Sequence, residues 1–488
     1  MGFGRPLIHF TPPSGWMNDP NGLVYFEGEY HLFYQYIPWD LYHPTGSPHL
    51  AHWGHAVSTD LLHWTHLPVA LAPDALGAIF SGCAVVDERD SSGFFDGRPG
   101  LVAIFTHNNG YQGPRGPQVQ SIAYSRDRGR TWTSYDGNPV IANPGSGDFR
   151  DPKVFRHESS GRWVMVVTYN ADRVHFYTSA NLRDWEYASE FGVGQGAHDD
   201  QWECPDLFQL PVEGDGEGTR WVLHLSSHHP MGLSERVGMQ YFIGDFDGRS
   251  FHNGNPAGTV LTPDYGRDNY ALVTWSNLPA GDVRCLAIGW MSDWAYARTV
   301  PTEVWKGVMT LPRELRLRRT AEGVLLVQAP AAEVERLRAG HSSRADRTLS
   351  PGASVWERDV SEAMEIVVQF ELGQASECGI RVHTGGMAQT TIGYDAGTGA
   401  VFVDRTRSGK TDFSPVFPGR QGGPLVPGSG RITLSIYLDR SSVEVFANGG
   451  EVVISSAIFP EAATTSLECY AEGGDAQLLS LDMYSLQL

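Results

Sequence analysis

The stretches AVSTDLLHW (56–64), AYSRDRGRTW (123–132), FYTSANLRDW (176–185) and FIGDFDGRSF (242–251) share one form. Each is a strand-like run, then a polar turn, then an aromatic residue. They recur at intervals of about 60 residues, room for four short strands apiece, which is the signature of propeller blades. The intervening segments agree: GEYHLFYQY, LVAIFTH, RWVMVVTY and RWVLHLS are rich in Val, Tyr, Phe and Thr and bounded by Gly, Asp, Asn or Pro. Almost nothing from Phe10 to Leu317 shows helical period. Residues 1–317 are therefore read as a five-bladed β-propeller, with Trp64, Trp132 and Trp185, which close the repeat, as packing residues.

The pattern changes near Pro312-Arg313-Glu314-Leu315. PAAEVERLRA (330–339) is the best helical stretch in the chain, with Val334 and Leu337 on one face. Residues 318–341 are read as a linker with a short helix. From Ser342 to Leu488 the strands return without the repeat (MEIVVQFEL, GIRVHT, AVFVDRT, RITLSIYLDRSSVEVFANG), which predicts a β-sandwich over 342–488. The expected class is all-β, a propeller followed by a C-terminal sandwich.

Two domains suit a chain of 488 residues. Aromatic residues make up 11%, with 14 Trp, and such rings stack on sugar C–H surfaces. The formal charge of −20 argues against nucleic acid and anionic membranes, which both require basic patches, and fits a neutral substrate. Five Cys, at 83, 204, 285, 378 and 469, show no CxxC spacing and read as free thiols. No apolar run reaches the roughly 20 residues of a membrane span. The N-terminus MGFGRPLIHF lacks the charged and apolar regions of a secretory signal, leaving a cytoplasmic chain or a secreted one with its signal removed. His43, His49, His52, His55, His224, His228 and His229 fall in no metal-ligand spacing, so neither metal nor cofactor is expected. Nothing in the sequence reports the oligomeric state.

Three acidic motifs carry the chemistry: Asn18-Asp19-Pro20, Phe149-Arg150-Asp151-Pro152-Lys153 and Trp202-Glu203-Cys204-Pro205-Asp206. The first lies in Gly15–Gly22, where Asp-Pro and Asn-Gly are turn chemistry, predicting a hairpin with Asn18 and Asp19 on its rim. Arg150-Asp151 has a competing reading as an ion pair stitching blades. Propeller blades bring their inner strands to one channel, so three such carboxylates in different blades can converge. Glycoside hydrolysis needs that arrangement: one carboxylate attacks the anomeric carbon and another holds a proton for the leaving oxygen. Glu203, flanked by Trp202 and Cys204, is the better acid, and Asp19, with Asn18 as a neighbouring donor, the better nucleophile. Arg150 is expected to keep Asp151 ionised for binding substrate hydroxyls.

At these residues the chain resembles glycoside hydrolase family 32, the invertase, levanase and inulinase group. FYQY (33–36), WGHAVSTDLLHW (53–64), FSG (80–82), GQGAHDDQWECPDLF, IGWMSDWAYA, GVMTLPREL and DRSSVEVF extend the match over nearly the whole chain. The resemblance implies a five-bladed propeller with a β-sandwich and retaining hydrolysis of β-fructofuranosidic bonds in levan, inulin or sucrose, without a cofactor. It implies Asp19 as nucleophile, Glu203 as general acid/base and Asp151 as transition-state stabiliser. Asn18, Gln35, Trp39, Trp53, Phe80, Ser81, Arg150, Trp290 and Trp294 would line the sugar site. A fructosyltransferase or a levanbiose- or difructose-releasing relative on the same scaffold is the alternative. The Ser125–Trp132 stretch also fits the Asp-box of sialidases, whose arginine triad and Tyr nucleophile find no match here.

The chain departs from the family pattern between Trp39 and His52. WDLYHPTGSPHLAHWGHA is longer than usual, with His43 where a substrate-contacting Trp is expected, so either Trp39 stands as its replacement or the rim is remodelled. That departure bears on the leaving-group side.

Overall fold

In the computed structural model, which describes residues 4–41, 50–110, 117–214, 218–228, 238–358, 360–385 and 387–488, the four repeated stretches occupy equivalent places. Each forms the hairpin between the third and fourth strands of an antiparallel unit. A short polar side chain organises each turn. Asp60 Oδ1 accepts the N–H of Leu62 and His63, Asn181 Oδ1 those of Arg183 and Asp184, and Asp247 Oδ1 those of Arg249 and Ser250. Leu61, Arg128 and Leu182 adopt the left-handed conformation there, at φ 67°, 61° and 64°. The closing tryptophans fold back alike: Trp64, Trp132 and Trp185 donate their indole N–H to the carbonyls of Leu61, Gly129 and Leu182 at 3.0, 3.1 and 2.9 Å. They pack against the cores, as their position in the repeat requires.

The described strands group into five four-stranded units around one axis. Four are consecutive in sequence, beginning at Gly15–Phe26, Ala78–Asp87, Phe149–His157 and Gln201–Glu213. The fifth comprises Tyr270–Thr274, Cys285–Trp290, Arg313–Thr320 and Gly323–Pro330. The ring closes where Ser276 N–H bonds Leu23 O and Tyr25 N–H bonds Ser276 O, both at 3.0 Å. This is the propeller architecture expected of the repeat.

One local expectation is overturned. Gly15–Phe26 is a single buried strand paired with Glu29–Ile37, and the chain turns at Glu27-Gly28 (φ 45° and 91°) instead of at Asp19–Gly22. The Pro and Asn-Gly chemistry serves two β-bulges, between Met17 and Pro20 and between Asn21 and Val24. Gly22 (φ 56°) leaves no room for a side chain, since a Cβ would sit 2.4 Å from the Phe33 ring. Asn18 and Asp19 are thus buried inside the ring and not exposed on a rim.

The sandwich is two six-stranded sheets. One runs Arg338–Leu349, Ala476–Leu486, Met364–Glu371, Arg431–Asp439, Ser442–Ala447, Val452–Ala457; the other runs Val355–Arg358, Ser466–Glu472, Glu377–His383, Gln389–Asp395, Ala400–Arg407, Arg420–Pro424. Alternate residues such as Ile432, Leu434, Ile436 and Leu438 face Ile380, Val382, Ile392 and Val403 across the core. Within 318–341, beyond one hairpin turn at 321–322, the segment between strands is 331–337. There Ala332–Leu337 forms a 3₁₀ helix, whose three-residue period puts Val334 and Leu337 on one buried face.

Buried charges seat the sandwich on the propeller. Arg313 bonds Asp264 at 3.0 Å and also Glu444, all three fully buried. Arg405 bonds Asp268, whose other oxygen accepts the Tyr296 hydroxyl. His9 lies between Asp439 and Glu444 at 2.8 Å each. Both partners only accept, so both ring nitrogens donate and His9 is an imidazolium. Burial alone would depress its pKa; the two carboxylates outweigh that and lift it to about 9. A raised histidine stabilises the fold fully below its unfolded value near 6.5, and the contribution is lost as pH rises through about 9. Thermal unfolding of the wild type and His9→Gln between pH 6 and 10 should therefore show a gap on the order of 3 kcal/mol near neutrality that closes on the alkaline side. A gap independent of pH would disprove the charged His9.

Candidate active site

Each unit's innermost strand is interrupted where it reaches the axis. Register shifts fall between Met17 and Pro20, Ile79 and Gly82, Glu203 and Asp206, and Tyr270 and Val273, and opposite Arg150–Lys153 in the third unit. Three of the bulged residues take positive φ: Asp151 (64°), Cys204 (46°) and Ala271 (53°). The bulges turn side chains and backbone donors inward, toward the neighbouring unit. Pro20, Pro152 and Pro205 follow, and their missing N–H leaves no orphan donor in the broken ladder.

The interrupted segments bring the three carboxylates together. Asp19 accepts Ser81 Oγ–H at 2.7 Å and Asn18 Nδ2–H at 3.0 Å. Asn18 is held in turn by the Trp16 indole at 2.7 Å. Asp151 accepts the Cys204 N–H at 3.1 Å, and its own N–H goes to Thr106 Oγ1 at 3.1 Å. The Cys204 thiol stands between the two, 3.5 Å from Asp19 Oδ2 and 3.7 Å from Asp151 Oδ2. Glu203, next in the chain, accepts Arg150 at 2.7 and 3.1 Å on Oε1 and the Tyr270 hydroxyl on Oε2.

Arg150 divides its charge among three carboxylates. Arg150 stays within 3.8 Å of Asp151 Oδ2 and bonds Glu203 and Asp148 more closely. Burial, opposed by Arg150 and reinforced by Glu203 and Asp19, pushes Asp151 up to about 7. Burial likewise raises Asp19, against the Ser81 hydrogen bond. The Arg150 guanidinium, disfavoured by burial, is held charged by Glu203, Asp151 and Asp148. One buried cation among so many carboxylates means that the cluster keeps a proton near neutrality. Glu203 is thus gripped by donors instead of sitting against apolar groups.

The remaining sequence candidates sort by position. Gln35 lies opposite the Asn18–Asp19 bulge, with its buried Nε2 unbonded. Trp290 and Trp294 form an aromatic wall with Trp16, at centroid distances of 4.8 Å (Trp290–Trp294) and 6.0 Å (Trp16–Trp294), and the Trp290 Nε1 is also unbonded. Two buried donors without partners among the described residues, one opposite Asn18–Asp19 and one beside Trp16, suit a ligand rich in hydroxyls. Phe80 is half-buried beside Ser81. Trp53 is fully buried and gives its indole N–H to the Phe80 carbonyl at 3.0 Å, so it supports Phe80 from behind. Trp39 is 60% exposed beyond the end of its strand, edge-on to His52. His43, His49, His229 and the side chain of His228 lie outside the described residues. Among the described residues, no group of three His, Cys, Asp or Glu is placed to hold a metal ion.

Sequence reasoning did not single out Cys204, Tyr270, Thr106 or Asn21 as site residues. Asn21 carries the Gly82 N–H at 3.0 Å and so aligns Ser81. Cys204 stood inside a recognised motif; Tyr270, in a plain run of DNYALVT, carried no local signal at all.

A propeller whose axis gathers three carboxylates, one arginine and an aromatic wall is the frame of a carbohydrate-cleaving enzyme. The family model for the glycosyl hydrolases family 32 N-terminal domain matches residues 9–330, and that for the family 32 C terminal matches 333–485. This chain belongs to glycosyl hydrolase family 32. It is 50% identical to a levanase of Bacillus subtilis (strain 168) over 488 residues, covering 99% of this chain and 70% of that protein. It is 39% identical to an extracellular exo-inulinase of Aspergillus ficuum, covering 99% and 94%. The crystal structure of an exo-inulinase from Aspergillus awamori superposes with a TM-score of 0.90 at 36% identity, covering 100% of this chain and 99% of that one.

The shared proton is directly measurable. With ¹³C-labelled aspartate, one carboxyl resonance should titrate near pH 7 and vanish in Asp151→Asn. If every buried aspartate titrated at its ordinary value, Asp151 would not be the group that holds the extra proton.

Proposed function

We propose that the chain is a retaining β-fructofuranosidase hydrolysing fructans, levan or inulin, and sucrose through a fructosyl-enzyme intermediate. The observation that carries this reading is the meeting of Asp19 and Asp151, buried on the axis and bridged by Cys204, with the adjoining Glu203 held by Arg150 and Tyr270. The family membership of both domains supports the substrate class.

In the first step an Asp19 carboxylate oxygen attacks the anomeric carbon while Glu203 passes a proton to the departing glycosidic oxygen. The bond to the leaving sugar breaks as the ester to Asp19 forms. In the second step water attacks that carbon, Glu203 takes its proton, and fructose leaves with Asp19 restored. Asp19 is prepared by geometry: Ser81 and Asn18 hold its oxygens and orient it. Arg150 and Tyr270 fix the Glu203 carboxyl, and the proton retained by the cluster supplies its acid form. Asp151, whose Oδ2 faces Cys204, accepts fructosyl hydroxyls and strengthens its grip as positive charge develops in the oxocarbenium-like transition state.

Asn18, Gln35, Arg150 and Trp290 supply polar contacts to the terminal fructose, and Trp294, with Phe80 and Ser81, shapes its pocket. Trp53 acts through Phe80. Trp39, at the rim, faces the leaving-group side. The chemistry is complete with carboxylates and water. The propeller carries it, with residues 342–488 as a supporting domain.

Glu203→Ala should lower hydrolysis of sucrose or levan by more than about 100-fold, the scale of general acid catalysis. Mass spectrometry of that variant with substrate should find fructose on Asp19; an adduct elsewhere would refute the double displacement. Chromatography of wild-type products on sucrose, inulin and levan should show free fructose throughout, whereas larger products would point to transfer or disaccharide release.

A further inference from the structure

Two residues of the acidic motifs take no part in this chemistry: Lys153, two past Asp151, and Asp206, three past Glu203. They meet directly below the carboxylates, together with Thr274 of the fifth unit. Lys153 Nζ donates to Asp206 Oδ2 at 3.0 Å, to the Thr274 carbonyl at 2.6 Å and to Thr274 Oγ1 at 3.0 Å. Asp206 Oδ2 also accepts the Thr274 N–H at 2.7 Å and its hydroxyl at 2.8 Å. All three residues are buried.

The place of this cluster gives it meaning. Lys153, Asp206 and Thr274 belong to the third, fourth and fifth units, whose innermost strands share no ladder at this depth. Among the described residues, the third unit's sheet pairs with neither neighbour, and the fourth and fifth pair only far down, at Val212–Glu213 with Leu317–Arg318. Each of the three lies just past a bulge that aims a site residue, at Asp151, Glu203-Cys204 and Tyr270-Ala271. Packing is interrupted on both sides of it. Above, Lys153 and Thr274 border a chamber of about 20 Å³ shared with Ser81, Asp151 and Cys204. Below, they border a cavity of about 510 Å³ running past Phe155, Leu207 and Trp221. Between two voids, hydrogen bonds must do what close packing does elsewhere.

We propose that Lys153, Asp206 and Thr274 form a lock that sets the alignment of Asp151, Glu203 and Tyr270, making them positioning residues for hydrolysis. This rests on the hydrolase reading above. The lock acts on geometry alone: it spans three units with one charged pair and one hydroxyl, and a misplacement of about 1 Å at such a site costs about 100-fold in rate.

Three variants test it. Thr274→Val removes one hydroxyl at nearly constant volume, Thr274→Ser keeps that hydroxyl, and Lys153→Met removes the cation. Wild-type activity on sucrose, inulin and levan is measured first, because its absence would sink the hydrolase reading and not the lock. Thr274→Val should lower kcat about tenfold with KM within about twofold, Thr274→Ser should restore kcat to within about twofold, and Lys153→Met should lower it about 100-fold. A readout apart from turnover is the carboxyl titration of Asp151, whose midpoint should rise in Thr274→Val as the Cys204 N–H bond to it loosens. Should Lys153→Met fail to fold, the Thr274 pair decides. Variants that unfold at lower temperature yet keep wild-type kcat and an unmoved Asp151 midpoint would overturn the lock, as would a Thr274→Ser as slow as Thr274→Val.

Discussion

Five strands meeting around an axis create a problem that the structure answers everywhere in the same way. Apart from the short parallel pairing of Gly15–Trp16 with Trp305–Lys306, the inner edge of each strand faces the channel without a further strand among the described residues, and its buried N–H groups still need acceptors. The neighbouring unit provides them, through side chains at four junctions and through backbone carbonyls where the fifth unit meets the first. Asn21 of the first unit takes the Gly82 N–H of the second, Thr106 and Cys83 of the second take the Asp151 and Val154 N–H of the third, and Asp151 takes the Cys204 N–H of the fourth. Ser226 takes the Ala271 N–H, Asp206 takes that of Thr274, and the fifth unit returns to the first through Leu23 and Ser276. The site is built from this ring of satisfied donors. Asp151 serves both: one oxygen holds the next unit in place, and the same carboxyl belongs to the reacting cluster.

The electrostatics follow from that geometry. Polar side chains on the axis are dehydrated, and the carboxylates of Asp19 and Asp151, from two units, end within reach of one thiol. Desolvation and mutual repulsion favour the neutral forms, while Arg150 offers a single compensating charge. Retaining a proton costs less than holding all of the charges in a buried site. Acid/base capacity near neutrality is therefore a property of the cluster and not of one residue.

How legible this was in the sequence depends on the range of each interaction. The hairpin repeat was readable because Asp60, Asn181 and the tryptophans that follow them each find backbone partners within a few residues. The motifs around Asp19, Asp151 and Glu203 were readable as motifs. The conformation at Asp19 was not: a turn and a bulge ask the same backbone freedom of Pro and Asn-Gly, and only burial by Phe33 and Trp53 separates them. Arg150 was assigned to its sequence neighbour, and its closer bonds to Glu203, 53 residues on, carried no local signal. Tyr270 and Thr274 gain their roles only on ring closure, from partners 67 and 68 residues away (Glu203 and Asp206). No local pattern encodes such a meeting.

The same logic explains why the sandwich is seated on charges. Greasy surfaces alone would let two β domains slide, whereas Arg313 between Asp264 and Glu444 has one satisfied position. Losing one partner would leave a buried charge alone, a cost of about 3–5 kcal/mol, so displaced arrangements are penalised far more than the aligned one is rewarded. Asp264 and Asp268, the propeller side of this seat, lie on the segment that leads into Tyr270, and Asn269 Nδ2 donates to Asp264 Oδ2 at 3.0 Å. Docking the sandwich thus anchors the approach to the fifth unit's innermost strand. A domain without a carboxylate in the reacting cluster still fixes the strand that presents Tyr270 to Glu203.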